Sequence, residues 1–283
     1  MPSAPAPLVA FVLVVLLLLS AGALAAQESG AAEVDPAGMD AGLFAKQVLA
    51  NNVRQVHAVV AADFDGDGDN DFAATDYVNH QVVYFRKDAN GYKRTLLDGN
   101  LKGAYPLSVG DVDQDGKLDI LATARMGHQV AWYENNGNES FTKRVLDTQA
   151  RGAYYVFPAK IDSDGDMDLF AASRRDSTIA WYENKGNGNF TWHAIDTKAY
   201  GARTVIGADI DKDGDMDALA ASVDNDTVAW HRNDGNGNFT KVIVDSNIDG
   251  PYGLFVIDMN KDGKLDILAT ARMGHQVVLY TRK

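Results

Sequence analysis

Beyond residue 43 the chain is built of apolar, aromatic and β-branched runs of about five to seven residues, set between clusters of Gly, Asn and Asp. That is the pattern of short strands joined by tight turns. One stretch shows it clearly, with runs over residues 141–146, 153–159, 169–172 and 178–183. Asn184-Lys185-Gly186-Asn187-Gly188-Asn189 follows, a turn of residues that tolerate positive φ. No 3.6-residue apolar spacing runs through these segments, so a helical solenoid is excluded.

The strands recur in register. Acidic nonapeptides begin at Asp63 (DFDGDGDND), Asp111 (DVDQDGKLD), Lys160 (KIDSDGDMD), Asp209 (DIDKDGDMD) and Asp258 (DMNKDGKLD), spaced 48, 49, 49 and 49 residues apart. Phe44, Tyr92, Phe141, Phe190 and Phe239 each lie 19 residues before a nonapeptide, and residues 115–130 and 262–277 are the same sixteen letters. A fixed period near 49 residues marks a repeat architecture and overrides the two domains that length alone suggests. Four antiparallel strands per unit and five units predict an all-β fold, a five-bladed β-propeller. The chain stops where another Phe strand would begin, and residues 44–49 (FAKQVL) supply that strand alone at the front. The N-terminal strand is therefore expected to complete the last blade and close the ring, which removes open sheet edges.

The nonapeptides carry the candidate chemistry. In D-x-D-x-D-G-x-x-D the alternating carboxylates converge, the Gly permits a sharp turn, and the last Asp returns from the next strand. Hard oxygen donors in this number suit Ca²⁺. An EF-hand needs Glu at position twelve and flanking helices, and neither is present. Two loops depart from the pattern. Lys160 stands first in the third loop, where its ammonium is expected to sit among Asp162, Asp164 and Asp168 and leave that loop metal-free. Asn260 stands third in the fifth, where its amide oxygen still ligates with one charge fewer. About four Ca²⁺ per chain are expected.

Charge and composition narrow the classes further. The chain holds 26 Lys+Arg against 39 Asp+Glu, a net of -13, with the acid concentrated in the loops. No nucleic-acid partner is expected, since phosphate backbones require clustered Lys and Arg. The absence of Cys excludes a disulfide framework, a Cys-bearing zinc site and a thiol nucleophile. Calcium is the expected staple in their place.

At the N-terminus, LVAFVLVVLLLL from Leu8 precedes Ala23-Leu24-Ala25, a small-x-small site, so residues 1–26 read as a secretory signal peptide. The competing reading is a membrane tether through residues 8–26, uncharged and close to the ~20 residues that a spanning helix needs. Either places the remainder in a secreted or extracytoplasmic location. Residues 27–42 are small, acidic and aperiodic, a flexible linker to the propeller of residues 43–283.

These loops, the strands bearing Trp132, Trp181 and Trp230, and the Asn-Gly-Asn-Phe-Thr hairpins resemble the FG-GAP/VCBS repeats of integrin-α-like propellers. The resemblance spans residues 43–283. It implies Ca²⁺ between the first and second strands of each blade, opposite the usual ligand surface. Carried over by position, it implies as ligands Asp63, Asp65, Asp67 and Asp71; Asp111, Asp113, Asp115 and Asp119; Asp209, Asp211, Asp213 and Asp217; and Asp258, Asn260, Asp262 and Asp266. It also implies work in adhesion, carbohydrate or protein recognition, or beside an enzyme. Five blades are fewer than the seven of integrins, so integrin-type partners do not transfer.

The face away from the acidic loops carries at its inner-strand starts His57, Tyr105, Tyr154, Arg203 and Tyr252. Between second and third strands it carries His80, His128 and His275, with Arg125, Arg174 and Arg272 three residues before equivalent positions. Two accounts stand: a binding face for sugar or protein, or Tyr rings filling the inner layer beneath solvated Arg and His. Nearby Asp176, Asp224 and Asp226 offset the arginines and disfavour a polyanion groove. A zinc shared by the three His is excluded, because blades ~10 Å apart cannot bring three nitrogens within ~2 Å of one ion. The repeated Trp positions read as packing between blades. No GxSxG, HExxH or Walker motif is present, so no catalytic residue is named. The expected role is a secreted calcium-binding recognition module for an extracellular glycan or protein. A polysaccharide lyase or hydrolase and a pure scaffold are the alternatives.

Overall fold

A computed structural model describes residues 46–186 and 188–283. The alternating strands pair as successive antiparallel sheets. The first contains β1 (Val56–Ala62), β2 (Asp71–Asp76), β3 (Gln81–Asp88) and β4 (Gly91–Asp98). The second contains β5 (Ala104–Gly110), β6 (Asp119–Ala124), β7 (Gln129–Gly137) and β8 (Ser140–Asp147). The third contains β9 (Ala153–Ala159), β10 (Asp168–Ser173), β11 (Thr178–Asn184) and β12 (Phe190–Asp196). The fourth contains β13 (Ala202–Ala208), β14 (Asp217–Ser222), β15 (Thr227–Asn233) and β16 (Phe239–Asp245). The fifth has three strands, β17 (Pro251–Ile257), β18 (Asp266–Ala271) and β19 (Gln276–Tyr280). Five repeated sheets are consistent with five blades of a propeller-like fold. Each Phe strand belongs to the sheet before it in the repeat, since Phe141 pairs with Asn135 and Phe190 with Asn184 across Asn-Gly hairpins.

The core lies between sheets. Second strands such as DILATA, DLFAAS and DALAAS are buried at every position, and their Ala residues let neighbouring sheets approach. Trp132 fills the space between the second and third sheets and Trp181 that between the third and fourth, which confirms the packing role of the repeated Trp. Fourth strands are largely exposed.

Two buried polar ties recur at the seams. A residue near the end of each third strand reaches the acidic loop of the preceding sheet: Asn135 Nδ2 donates to Phe64 O at 2.6 Å, Asn184 Nδ2 to Val112 O at 3.0 Å, Asn233 Nδ2 to Ile161 O at 2.6 Å and Arg282 to Ile210 O at 2.5 Å. A hydroxyl two residues earlier meets the terminal Asp of the preceding sheet, Tyr133 to Asp98 at 2.7 Å, Tyr182 to Asp147 at 2.6 Å and Tyr280 to Asp245 at 2.8 Å, with His231 and Asp196 in the same positions. Asn184→Ala should cost about 1–3 kcal/mol in urea denaturation, because it strips a donor from two carbonyls inside the protein. A cost below ~0.5 kcal/mol would remove the tie from any account of stability.

The first sheet does not repeat these ties. Its Phe85, at the position of Tyr133, has no hydroxyl, and Lys87, at the position of Asn135, donates to Asp88 O within the same sheet at 2.7 Å. The predicted closing strand is also not formed over its described part. Lys46–Leu49 are irregular and exposed, while residues 1–45, including Phe44, the signal and the linker, lie outside the described residues. Two physical reasons account for this. Ala50 and Val53 pack on the Ala74, Val83 and Phe85 face of the first sheet, and Ala50 occupies the position where later repeats place Asp98, Asp147, Asp196 and Asp245. One face of the fifth sheet consequently exposes Phe255, Ile257, Val277 and Leu279. No helix among the described residues is long and apolar enough to cross a membrane, and the apolar run of residues 8–26 is not among them.

Candidate metal centres and the opposite face

The acidic loops join the first and second strands of each sheet. Their turns are organised by the first Asp, whose side chain caps backbone N–H groups: Asp111 accepts from Asp115 at 3.0 Å and Gly116 at 3.0 Å, and Asp209 from Asp213 and Gly214, both at 3.1 Å. Asp63 and Asp258 cap Gly68 and Gly263 in the same way. Gly116 takes φ 88°, a conformation that suits Gly at this sharp bend.

This folding draws oxygens of Asp63, Asp65 and Asp67 within 4.8 Å of one another, and likewise those of Asp111, Asp113 and Asp115. In the fourth loop Asp209, Asp211 and Asp217 converge. Several of these clusters can hold a metal ion. The donors fit a hard divalent cation: all are carboxylates, and Asp211 Oδ1 is buried with no hydrogen-bond partner. Burial, then the nearby Asp115 charge, pushes the Asp113 carboxyl above the usual range.

The ninth-position Asp does more than the pattern suggests. Asp119, Asp168, Asp217 and Asp266 are buried, and each spans two backbone donors: Asp119 accepts from Val112 at 2.9 Å and Asn135 at 2.8 Å, Asp168 from Ile161 at 3.2 Å and Asn184 at 2.7 Å. Asp71 instead accepts from Lys87 and Tyr84. These carboxylates latch the loop to the third strand of their own sheet, and only Asp217 also joins an acidic cluster among the described residues.

The third loop corrects the expectation for Lys160. That side chain is exposed and pairs with none of Asp162, Asp164 or Asp168 among the described residues. In its place, Asp162 and Asp164 gather Glu183 from β11. Glu183 is itself held below the usual range: burial opposes the shift, but Lys185 and His193 outweigh it. The pattern of nine residues missed Glu183, but the 49-residue register offers a signal, because Glu134, Glu183 and Arg232 share one repeat position. Arg232 brings a cation to the fourth loop, 2.5 Å from Asp211 and 3.1 Å from Asp213. In the fifth loop the Asn260 amide donates to Asp262 at 3.1 Å, so Asp258 and Asp262 face one acidic ligand fewer.

At the other end of the same strands the five predicted inner-strand residues meet. The Arg203 guanidinium lies 4.5 Å from the Tyr154 ring centre and 3.5 Å from that of Tyr252; it also donates to the Tyr105 hydroxyl at 2.8 Å and to that of Tyr252. The His57 ring lies 4.9 Å from that of Tyr105, tilted by 43°, and burial, then Arg125 and Arg203, lowers its pKa. Tyr105, Tyr154 and Arg203 are buried, so they fill the inner layer as well as carrying this chemistry. Arg125 and Arg174 lie 5.0 and 6.0 Å from the Tyr154 ring centre, and Arg272 lies 5.7 Å from that of Tyr252. His80 and His128 are not free ligand groups, since each Nδ1 accepts the N–H of the next sheet's Gly103 or Gly152, at 3.1 and 3.0 Å. Asp226 does the same for Gly250. His275 sits at the equivalent turn of the fifth sheet.

Solved structures of similar fold include a streptogramin B lyase (TM-score 0.51, 13% identity, covering 80% of this chain and 68% of that one). An Agrocybe aegerita lectin that recognises non-reducing terminal N-acetylglucosamine is similar at TM-score 0.54 and 21% identity, covering 75% of this chain and 59% of the lectin. An auxiliary nutrient-binding protein from Bacteroides ovatus is similar at TM-score 0.53 and 14% identity, covering 83% of this chain and 60% of that one. The chain thus spans about three fifths of the latter two, and at these identities the likeness shows the fold alone. No curated protein matches the chain. The FG-GAP-like repeat matches four times, over residues 63–122, 111–171, 160–220 and 209–269, in the register of the acidic loops, and the chain belongs to the FG-GAP-like repeat family.

Proposed function

We propose that this chain is a secreted, calcium-stabilised recognition module that binds an extracellular glycan or protein without turnover. The observation that carries the reading is the division of labour along each strand. Carboxylate clusters lie at one end, and a rigid Arg and Tyr cluster, fixed by inter-sheet packing, lies at the other. Asp63, Asp65 and Asp67, Asp111, Asp113 and Asp115, and Asp209, Asp211 and Asp217 are the side chains that would hold calcium. The ion would neutralise their mutual repulsion and fix the loops from which the second strands start. Aromatic rings backed by guanidinium groups suit sugar stacking and hydrogen bonding. The signal-like residues 1–26 support export.

A glycan and polysaccharide binding array with the full chain, run in calcium and in chelator, tests this reading. Saturable binding in calcium and its loss in chelator are expected. A silent array from folded protein would redirect the search to a protein partner, and turnover of a bound polymer would make the module an enzyme.

A further inference from the structure

On the face opposite the acidic loops, a cleft of about 540 Å³ opens between the turns of the second, third and fourth sheets. That is within the ~300–1,000 Å³ typical of small-molecule sites. Its lining holds Arg125, Arg151, Arg174 and Arg175 around Tyr154, with Asp224 as the one carboxylate. The chain is acidic overall, so this concentration of cation is local and runs against the net charge.

The pairing of these groups reverses the expectation of a face neutral through mixed sign. Arg174 pairs with Asp224 at 2.8 Å, and Arg151 reaches Asp176 only at 3.9 Å. Asp226 is spent on the Gly250 N–H. Arg125 and Arg175 have no carboxylate partner among the described residues. Gly152 at φ 67° lets the turn before β9 pass close to Arg175: a Cβ there would lie 3.0 Å from Arg175 Cγ, so a side chain would push that arginine away.

Beneath the cleft is a second, independent feature. Arg203 is only 6% exposed, and its guanidinium contacts Tyr rings and hydroxyls with no carboxylate beside it. Burial strips the hydration that stabilises this cation, and its cation–π contacts with Tyr154 and Tyr252 return part of that. Burial accordingly lowers the Arg203 pKa, and its charge, with that of Arg125, is felt at His57. Three guanidinium groups, Arg125, Arg174 and Arg203, thus surround the one Tyr154 ring at 4.5 to 6.0 Å. Of the three, only Arg174 has a carboxylate partner, Asp224, among the described residues.

We infer that this cleft binds an acidic sugar of an extracellular polysaccharide, with the carboxylate or sulfate held by Arg125, Arg174 and Arg175 and the sugar ring seated in the cleft above the buried Tyr154 and Arg203 layer. Arginine forks match carboxylate and sulfate oxygens in a bidentate way, and a cleft of about 540 Å³ has room for a sugar ring that a bare ion would leave unfilled. The inference rests on the recognition reading above and names its ligand class.

Calorimetric titration of the full chain with polygalacturonate, dextran sulfate and neutral dextran tests it. Binding of one or both acidic polymers, none of dextran, and a marked loss of affinity between 50 mM and 500 mM NaCl are expected. The two acidic arms tell uronate from sulfate. Arg125→Gln with Arg174→Gln should weaken binding at least ~10-fold, and the exposed Arg175→Gln at least ~3-fold, while Arg94→Gln on the outer strand of the first sheet should change nothing. Should the double variant misfold, Arg175→Gln decides alone. Acidic-polymer binding that ignores these substitutions overturns the cleft, and capture of dextran alone overturns the acidic class while the recognition module stands. Failure of every polymer to bind the folded protein overturns the acidic-sugar cleft, and the recognition reading is then decided by the glycan array and a search for a protein partner.

Discussion

Asp168→Ala should destabilise the protein by about 3–5 kcal/mol, one of the largest losses expected from a single side chain. Asp168 is fully buried and accepts from Ile161 N–H at 3.2 Å and Asn184 N–H at 2.7 Å. Alanine leaves both donors inside the protein with no acceptor, at about 1–3 kcal/mol each, and adds a small cavity. Burial pushes the carboxyl up to about 6, against the two donors that favour its ionised form, so the site is held by geometry at some electrostatic cost. Asp168→Asn should lose less, because one oxygen remains to accept. The third loop separates structure from metal chemistry, since its first position is Lys160. The loss should therefore be equal in calcium and in chelator when read by urea denaturation. A loss under ~1 kcal/mol, or one that vanishes in chelator, would return Asp168 to the role of metal ligand.

That contrast shows what the sequence discloses about this fold. The four strands of the first four sheets, the loop positions and the meeting of His57, Tyr105, Tyr154, Arg203 and Tyr252 follow from the register, because a repeat places equivalent residues at equivalent heights in successive sheets. Direction is harder. His128 and Arg125 sit three residues apart on the same turn, yet His128 is consumed by the Gly152 N–H of the next sheet whereas Arg125 faces Tyr154. The periodicity orders positions along one unit and says little about which neighbour a side chain crosses to. Glu183 entered an acidic cluster for the same reason, from a strand 21 residues beyond Asp162. The residues of 46–49 mark another limit. FAKQVL has the composition of a fourth strand, but the Ala50 that follows it lacks the carboxylate that ties Asp98, Asp147 and Asp245 to the following Tyr. A strand propensity without its long-range partner does not specify a place in a sheet.

The same ties explain why the loops should matter to the whole protein. The second, third and fourth acidic loops are each gripped from two sides, by their own latch Asp and by the Asn or Arg of the next sheet, as in the bonds of Asp119 to Val112 N–H and of Asn184 to Val112 O. Fixing a loop therefore fixes a seam. An ion bound only by the folded state adds RT ln(1 + [L]/Kd), about 2.7 kcal/mol per site at a free concentration ~100 times Kd. Three carboxylate sites would together contribute about 8 kcal/mol, and at ~2–4 °C per kcal/mol a chelator should lower Tm by roughly 15–30 °C. Removing the ion also restores repulsion of the kind that, with burial, raises Asp113. Equilibrium dialysis should return about four Ca²⁺ per chain, from the first, second, fourth and fifth loops, with the fifth weakest because Asn260 replaces a carboxylate. Lys160→Asp should add one, since Asp162, Asp164 and Glu183 already converge and the new carboxylate would restore the capping position held by Asp111 in the second loop. Glu183→Gln in the natural sequence should leave the count unchanged. A Tm indifferent to chelator would defeat the calcium reading as a whole, and a natural count of five would show that Glu183 substitutes for the missing first Asp.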